Sequence, residues 1–231
     1  MMKRALPVLI IVIVLAVSVL GAWYMKRSRS STSADKPQRQ IRVQNTAPAK
    51  LGATPAHMHG PSDAKVVIEE FADFECGGCG MVHPIIKQME KEFGPRIAIV
   101  FREFPLAKHK NGMNAAQAAE AAGLQGKFWE MHHLLFENQQ TWEGLSDVRS
   151  LFRDYANQAG LDVERFERDM VSDTVKNRIA ADQARAASIG ISSTPSAFLN
   201  GREIPFETLA SADKLRELIR VELASPETTK P

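Results

Sequence analysis

Phe71-Ala72-Asp73-Phe74-Glu75-Cys76-Gly77-Gly78-Cys79 is the stretch that decides the fold of this chain. It holds the only two cysteines among 231 residues. Before it runs Lys65-Val66-Val67-Ile68-Glu69-Glu70-Phe71, a β-branched apolar segment that reads as a buried strand. After it Met81, Val82, Ile85, Ile86, Met89 and Phe93 recur at helical spacing. Cys76 thus opens a helix, where unpaired backbone N–H groups and the positive end of the helix dipole face its sulfur. Both favour thiolate over thiol, so its pKa is expected below the free value of about 8.5. Cys79 follows almost one turn later on the same face, within disulfide reach. The pair reads as a dithiol/disulfide redox centre.

The rival reading of a lone C-x-x-C is half of a four-ligand zinc site. The six histidines are His57, His59, His83, His109, His132 and His133, and none forms an H-x₃₋₅-H pair. No metal site or cofactor is therefore expected. His132, His133, Trp129 and Trp142 read as packing or solvent-facing residues. Two cysteines also make no disulfide scaffold, and with 44% hydrophobic residues the chain can bury a core without one.

Charge is distributed unevenly. Residues 1–60 carry nine Lys/Arg and one Asp, for +8, which leaves 20 basic and 26 acidic residues, or −6, in 61–231. An acidic body argues against a nucleic-acid partner, since such proteins carry their positive charge on the folded domain. Ala5 to Met25 is an uncharged run of 21 residues, long enough to cross roughly 30 Å of hydrocarbon as a helix. It exceeds a typical signal-peptide core, and Val19-Leu20-Gly21 or Leu20-Gly21-Ala22 would be poor cleavage sites. An uncleaved membrane anchor over residues 1–25 is the expectation. Basic residues flank both of its ends, so the positive-inside rule does not orient it. Residues 26–61 read as a flexible linker and 62–225 as the folded domain.

Within that domain Gly94-Pro95 stops the first helix, and Ile97-Ala98-Ile99-Val100-Phe101 forms a second strand. The result is a βαβ unit whose strands are parallel and joined right-handedly, with the cysteines at the carboxyl end of the first strand, where open α/β sheets place their sites. An entirely helical pattern fills about 108–189. Thr194-Pro195 then leads into Ser196–Leu199 and Arg202–Ile204, strands flanking Asn200-Gly201, the preferred dipeptide of a tight hairpin. Ser211 to Leu223 closes the domain as an amphipathic helix.

This order, with E-F-A-D-F-E-C-G-G-C, Thr-Pro entering a strand, F-L-N-G-R after it and the long helical block, resembles the DsbA-like thiol:disulfide oxidoreductases of the thioredoxin superfamily. The resemblance covers about 62–223. It implies an α/β thioredoxin-like fold with a helical insertion, here preceded by a single transmembrane helix. It implies that Cys76 attacks, Cys79 resolves, and Thr194 with Pro195 forms a cis-proline loop that pairs with substrate. Glu70, six residues before Cys76, falls where such proteins keep a buried acid beneath the second cysteine, a proton relay with a raised pKa. The other reading of Glu70 is a solvated strand residue, since Glu69 beside it must point the opposite way. The family further implies protein substrates with thiols or disulfides, a membrane partner that resets the cysteines, and a domain held on the inner membrane facing the periplasm or cell exterior. Gly77-Gly78 departs from the Pro-His pair of the family's strong oxidants, which implies a less oxidising poise. The alternatives are a disulfide isomerase or reductase of the same fold, or a non-catalytic thioredoxin-fold binding or chaperone module.

Overall fold

The computed structural model describes residues 49–226. The Ala5–Met25 run, most of the linker and the last five residues lie outside the described residues. Among the described residues no helix is long and apolar enough to cross a membrane.

Among the described residues five strands, β1 (His57–His59), β2 (Val66–Ala72), β3 (Ile97–Glu103), β4 (Ser196–Leu199) and β5 (Arg202–Ile204), form one sheet in the order β1-β3-β2-β4-β5. At its centre β2 (Val66–Ala72) and β3 (Ile97–Glu103) run parallel, with Glu70 opposite Phe101. All seven residues of β3 are buried, as expected of a strand covered on both faces. Between them α1 (Gly77–Phe93) makes the crossover, ending in a 3₁₀ turn at Gly94–Arg96. Strand β4 (Ser196–Leu199) adds antiparallel to β2, and β5 (Arg202–Ile204) pairs with β4. Asn200 and Gly201 both take positive φ, 48° and 80°, the backbone that a tight hairpin demands. Asn200 also closes the hairpin sideways: its Oδ1 accepts from the Val67 amide at 2.9 Å and its Nδ2 donates to the Lys65 carbonyl at 3.0 Å.

The helical block consists of α2 (Gly112–Gly123), α3 (Phe128–Glu137), α4 (Gln139–Trp142), α5 (Arg149–Gln158), α6 (Val163–Met170) and α7 (Asp173–Ser188). After the hairpin come α8 (Phe206–Leu209) and α9 (Ala212–Ala224), the latter capped by Ser211, which accepts from the Lys214 amide. Helix α2 is buried nearly all round through Ala115, Ala116, Ala118, Ala119, Ala121 and Ala122. Methyl-sized side chains let its neighbours pack closely on every side, and a helix apolar all round belongs in an interior. Two apolar clusters result. One lies between the sheet and α1 and α9, built on Val66, Ile68, Val82, Met89, Ile99, Leu215 and Ile219. The other joins the sheet to the insertion through Phe74, Phe101, Phe128, Met131, Trp142 and Phe152.

The folded unit starts earlier than its sequence suggests. Residues 53–61 read as linker, yet His57–His59 forms β1, antiparallel to β3. The segment is held by polar bonds rather than apolar burial, which is why its composition resembles a tether. The Ala53 amide donates to Asp182 at 2.7 Å, and Arg102 donates to the Ala53 carbonyl at 3.0 Å. His57 stacks on Phe128 with ring centroids 3.6 Å apart and lies 2.9 Å from the Glu120 carboxylate, which also pairs with Arg178. On the opposite sheet face, Glu69 accepts from both Arg102 and Arg185 at 2.6–2.8 Å.

Candidate active site

Cys76 is the N-cap of α1, with φ −78° and ψ 118°. Its amide donates to the Asp73 carbonyl at 3.0 Å, and its own carbonyl accepts the first helical bond from Gly80. The loop is pinned from the insertion: Gln139 Nε2 donates to the Phe74 carbonyl at 2.6 Å and the Cys76 carbonyl at 3.0 Å. Gly80 lies against this amide, where any Cβ would collide with it. Asp73, 1% exposed, holds the other side. Its carboxylate accepts from the amides of Glu75 (2.8 Å) and Leu106 (2.7 Å) and contacts His109 Nδ1 at 2.6 Å. Neither Asp73 nor Gln139 carries a sequence signal for this role; Gln139 is 63 residues from Cys76.

Cys76 is partly exposed and Cys79 is buried. The Thr194-Pro195 peptide bond is cis, and the Cys76 thiol donates to the Thr194 carbonyl at 3.5 Å. A Cβ on Gly78 would stand 3.1 Å from Pro195 Cδ and 3.7 Å from Cys76 Sγ, whereas one on Gly77 would meet nothing within 4 Å. The second glycine therefore answers a close approach by the proline loop, and the first does not.

The two thiols are driven apart in acidity. Cys76 falls from 9.0 to about 5, chiefly because the Cys79 thiol donates to it, with further help from the Thr194 hydroxyl and the amides of Cys79 and Gly78, against the opposing effect of burial. Thr194 Oγ1 is buried with no other hydrogen-bond partner among the described residues, so its hydroxyl is free to turn to the thiolate. Burial raises Cys79 well above the usual thiol range, and the Cys76 thiol and the charges of Cys76 and Glu70 add to the rise. Glu70 is 4% exposed. Burial first, then the Glu90 carboxylate, raises its pKa from 4.5 to about 8. The structure thus brings all five residues singled out in the sequence to one end of β2, α1 and the β4 loop, with Glu70 inside and Glu69 turned to the arginines.

A family model for thioredoxin matches residues 53–220. The fold is similar to that of oxidised BdbD from Bacillus subtilis, with TM-score 0.65 and 24% identity over 78% of this chain and 100% of that one. It is also similar to the thiol-disulfide exchange protein alpha-DsbA2 from Wolbachia pipientis, with TM-score 0.61 and 21% identity over 72% of this chain and 86% of that one. Among curated proteins, Na(+)/H(+) antiporter NhaA 1 of Mycolicibacterium vanbaalenii is 39% identical over 148 residues, 63% of this chain. The chain spans only 23% of that antiporter's length, so the likeness concerns one segment of it. The chain belongs to the thioredoxin family and has the DsbA-like form of its fold.

Proposed function

We propose that this protein is a thiol:disulfide oxidoreductase that exchanges disulfides with extracytoplasmic protein substrates through Cys76 and Cys79. The observation that carries the reading is the placement of a partly exposed, acidified Cys76 against both a buried Cys79 and the cis-Pro195 loop. In the oxidising direction a substrate thiolate attacks Cys76 Sγ of the disulfide, and the S–S bond breaks toward Cys79. Cys79 leaves as a thiolate and takes a proton; the pair has gained two electrons only once Cys76 is released as well. Glu70, still a carboxylic acid near neutral pH, is the donor we assign. A second substrate thiolate then attacks the mixed disulfide, leaving oxidised substrate and the Cys76 thiolate. Reduction runs the same steps backwards, with the Glu70 carboxylate as base for Cys79. The backbone beside Pro195 is left to pair with an extended substrate segment.

A Cys76 pKa of about 5 lies between the values of roughly 7 for thioredoxin and 3.5 for DsbA. It supports a poise between theirs, in keeping with two glycines that add no charge to the loop. Iodoacetamide alkylation of Cys76 in a Cys79→Ala background reports the thiolate. That variant removes the leading donor, so the midpoint is expected above 5 but still at least one unit below 8.5, and lower again for the wild-type dithiol. An unshifted midpoint in both proteins counts against an activated nucleophile.

The same proposal places the domain outside the cytoplasm, tethered by the Ala5–Met25 run, because disulfide donors work where disulfides persist. A reporter active only outside the cytoplasm, fused after Pro231, is expected to be active; an inactive fusion would reverse the orientation. A membrane redox partner that resets the pair belongs to this proposal as well.

A further inference from the structure

A cluster of three histidines begins one helical turn beyond Cys79 and includes no cysteine. His83 is on α1, and His132 and His133 are on α3. One ring nitrogen from each lies within 4.8 Å of the others. We propose that these three imidazoles form a binding site for a first-row divalent cation of the zinc class, bridging the cysteine-bearing helix to the insertion.

The first support is what surrounds them. A core histidine ordinarily satisfies one ring nitrogen as donor and the other as acceptor. His132 is 4% exposed, yet neither of its nitrogens has a hydrogen-bond partner among the described residues, and the same holds for His83 Nε2 and His133 Nδ1. The two fellow histidines aside, the rings packed against His132 offer no acceptor, and only Trp129 carries a donor. Phe74, Phe101, Trp129 and Phe136 pack around His132 with centroids 4.6–5.6 Å away. Leaving buried polar atoms unpaired is costly, and a partner that accepts one lone pair from each of the three rings would reduce that cost.

The second support is geometry and chemical type. A tetrahedral zinc with Zn–N bonds of roughly 2.0–2.1 Å needs its ligand nitrogens about 3.4 Å apart, so side-chain adjustments of about an ångström close the set. Imidazoles suit zinc and copper, whereas calcium and magnesium want oxygen. Three protein ligands leave a fourth position for water. Half-buried His133 marks the route in, beside the exposed Lys87–Glu137 pair that links the same two helices at 2.5 Å. No cysteine takes part, so the site is separate from the redox pair.

The test uses the full-length, untagged chain in its oxidised form, which removes both thiolates as zinc ligands. Zinc is titrated against a chromophoric chelator, and the thermal midpoint is followed as zinc rises. One zinc per chain is expected, with a midpoint that climbs with zinc concentration and does not respond to magnesium. His133→Gln and His83→Gln are each expected to weaken binding at least about 100-fold, beyond what losing an outer partner costs, while His109→Gln leaves it unchanged. His133 is the half-buried member, so its variant decides the matter if the His83 variant fails to fold. Absence of zinc binding in the oxidised wild-type protein, or binding that survives His133→Gln at full strength, overturns the proposal.

Discussion

Cys79→Ala is expected to accumulate a covalent complex with substrate protein, and Cys76→Ala to accumulate none. Only Cys76 is reachable from solvent and acidified, so it alone forms the first mixed disulfide. Cys79 is fully buried beside it, with a thiol pKa pushed well up by burial, so it acts only after Cys76 has been engaged. Its attack on the mixed disulfide is intramolecular, and such steps carry effective concentrations of about 10⁵ M or more. Removing it leaves release to external thiols at millimolar concentrations or lower, so the complex is expected to outlive the wild-type intermediate by at least about 10³-fold. Non-reducing electrophoresis with mass spectrometry of the trapped band checks this. Equal trapping by both variants would remove the division of labour between the cysteines. Trapping by neither, with substrate binding intact, would favour a binding module.

The second large effect falls on Glu70. Its carboxyl has a pKa of about 8 in the folded protein against 4.5 when exposed. Below pH 4.5 both folded and unfolded states hold the proton, and Glu70 contributes no pH dependence. Between pH 4.5 and 8 the unfolded state has lost the proton while the folded state keeps it, so stability falls as pH rises and levels off above 8. The total is on the order of 5 kcal/mol at about 1.4 kcal/mol per unit. Glu70→Gln removes the titration at nearly constant shape. The variant is expected to match wild type near pH 4 and to exceed it by a few kcal/mol at pH 8, read from denaturant midpoints. It is also expected to slow exchange about 10²-fold, the low end of what a positioned acid or base supplies. A variant that is no more stable at pH 8 would mean that Glu70 ionises freely, and the proton relay to Cys79 would fall with it.

Most of the fold was written in local patterns. The β-branched run before Cys76, the helical spacing after it, Gly94-Pro95, the alanine-rich stretch that becomes α2 and the Asn200-Gly201 turn each specify their own element within a few residues. What stayed hidden depends on partners far along the chain. Strand β1 has no apolar alternation, and its place comes from His57 meeting Phe128 and Glu120 and from Asp182 holding Ala53. Which of Glu69 and Glu70 lies inside follows from the strand pairing, with Glu70 opposite Phe101 and Ala197 and Glu69 drawn to arginines 33 and 116 residues away.

The site divides in the same way. Cys76 and Cys79 were legible from their position at a strand-to-helix junction, whereas Thr194-Pro195 was singled out only by the family resemblance. The acidity of Cys76 was expected from the helix terminus, whose Gly78 and Cys79 amides do contribute, but the Cys79 thiol is the larger cause. Gln139 carried no signal, and His83, His132 and His133 lacked a ligand spacing, because they meet only when α3 and α4 fold back onto α1.

The reduction potential of the Cys76–Cys79 pair, measured by equilibration of the full-length protein with glutathione, tests the central claim most directly. An exchange centre built as described is expected between roughly −270 mV, the thioredoxin value, and about −120 mV, that of DsbA. A value below about −300 mV, where structural disulfides lie, would contradict the account and make the pair a static crosslink.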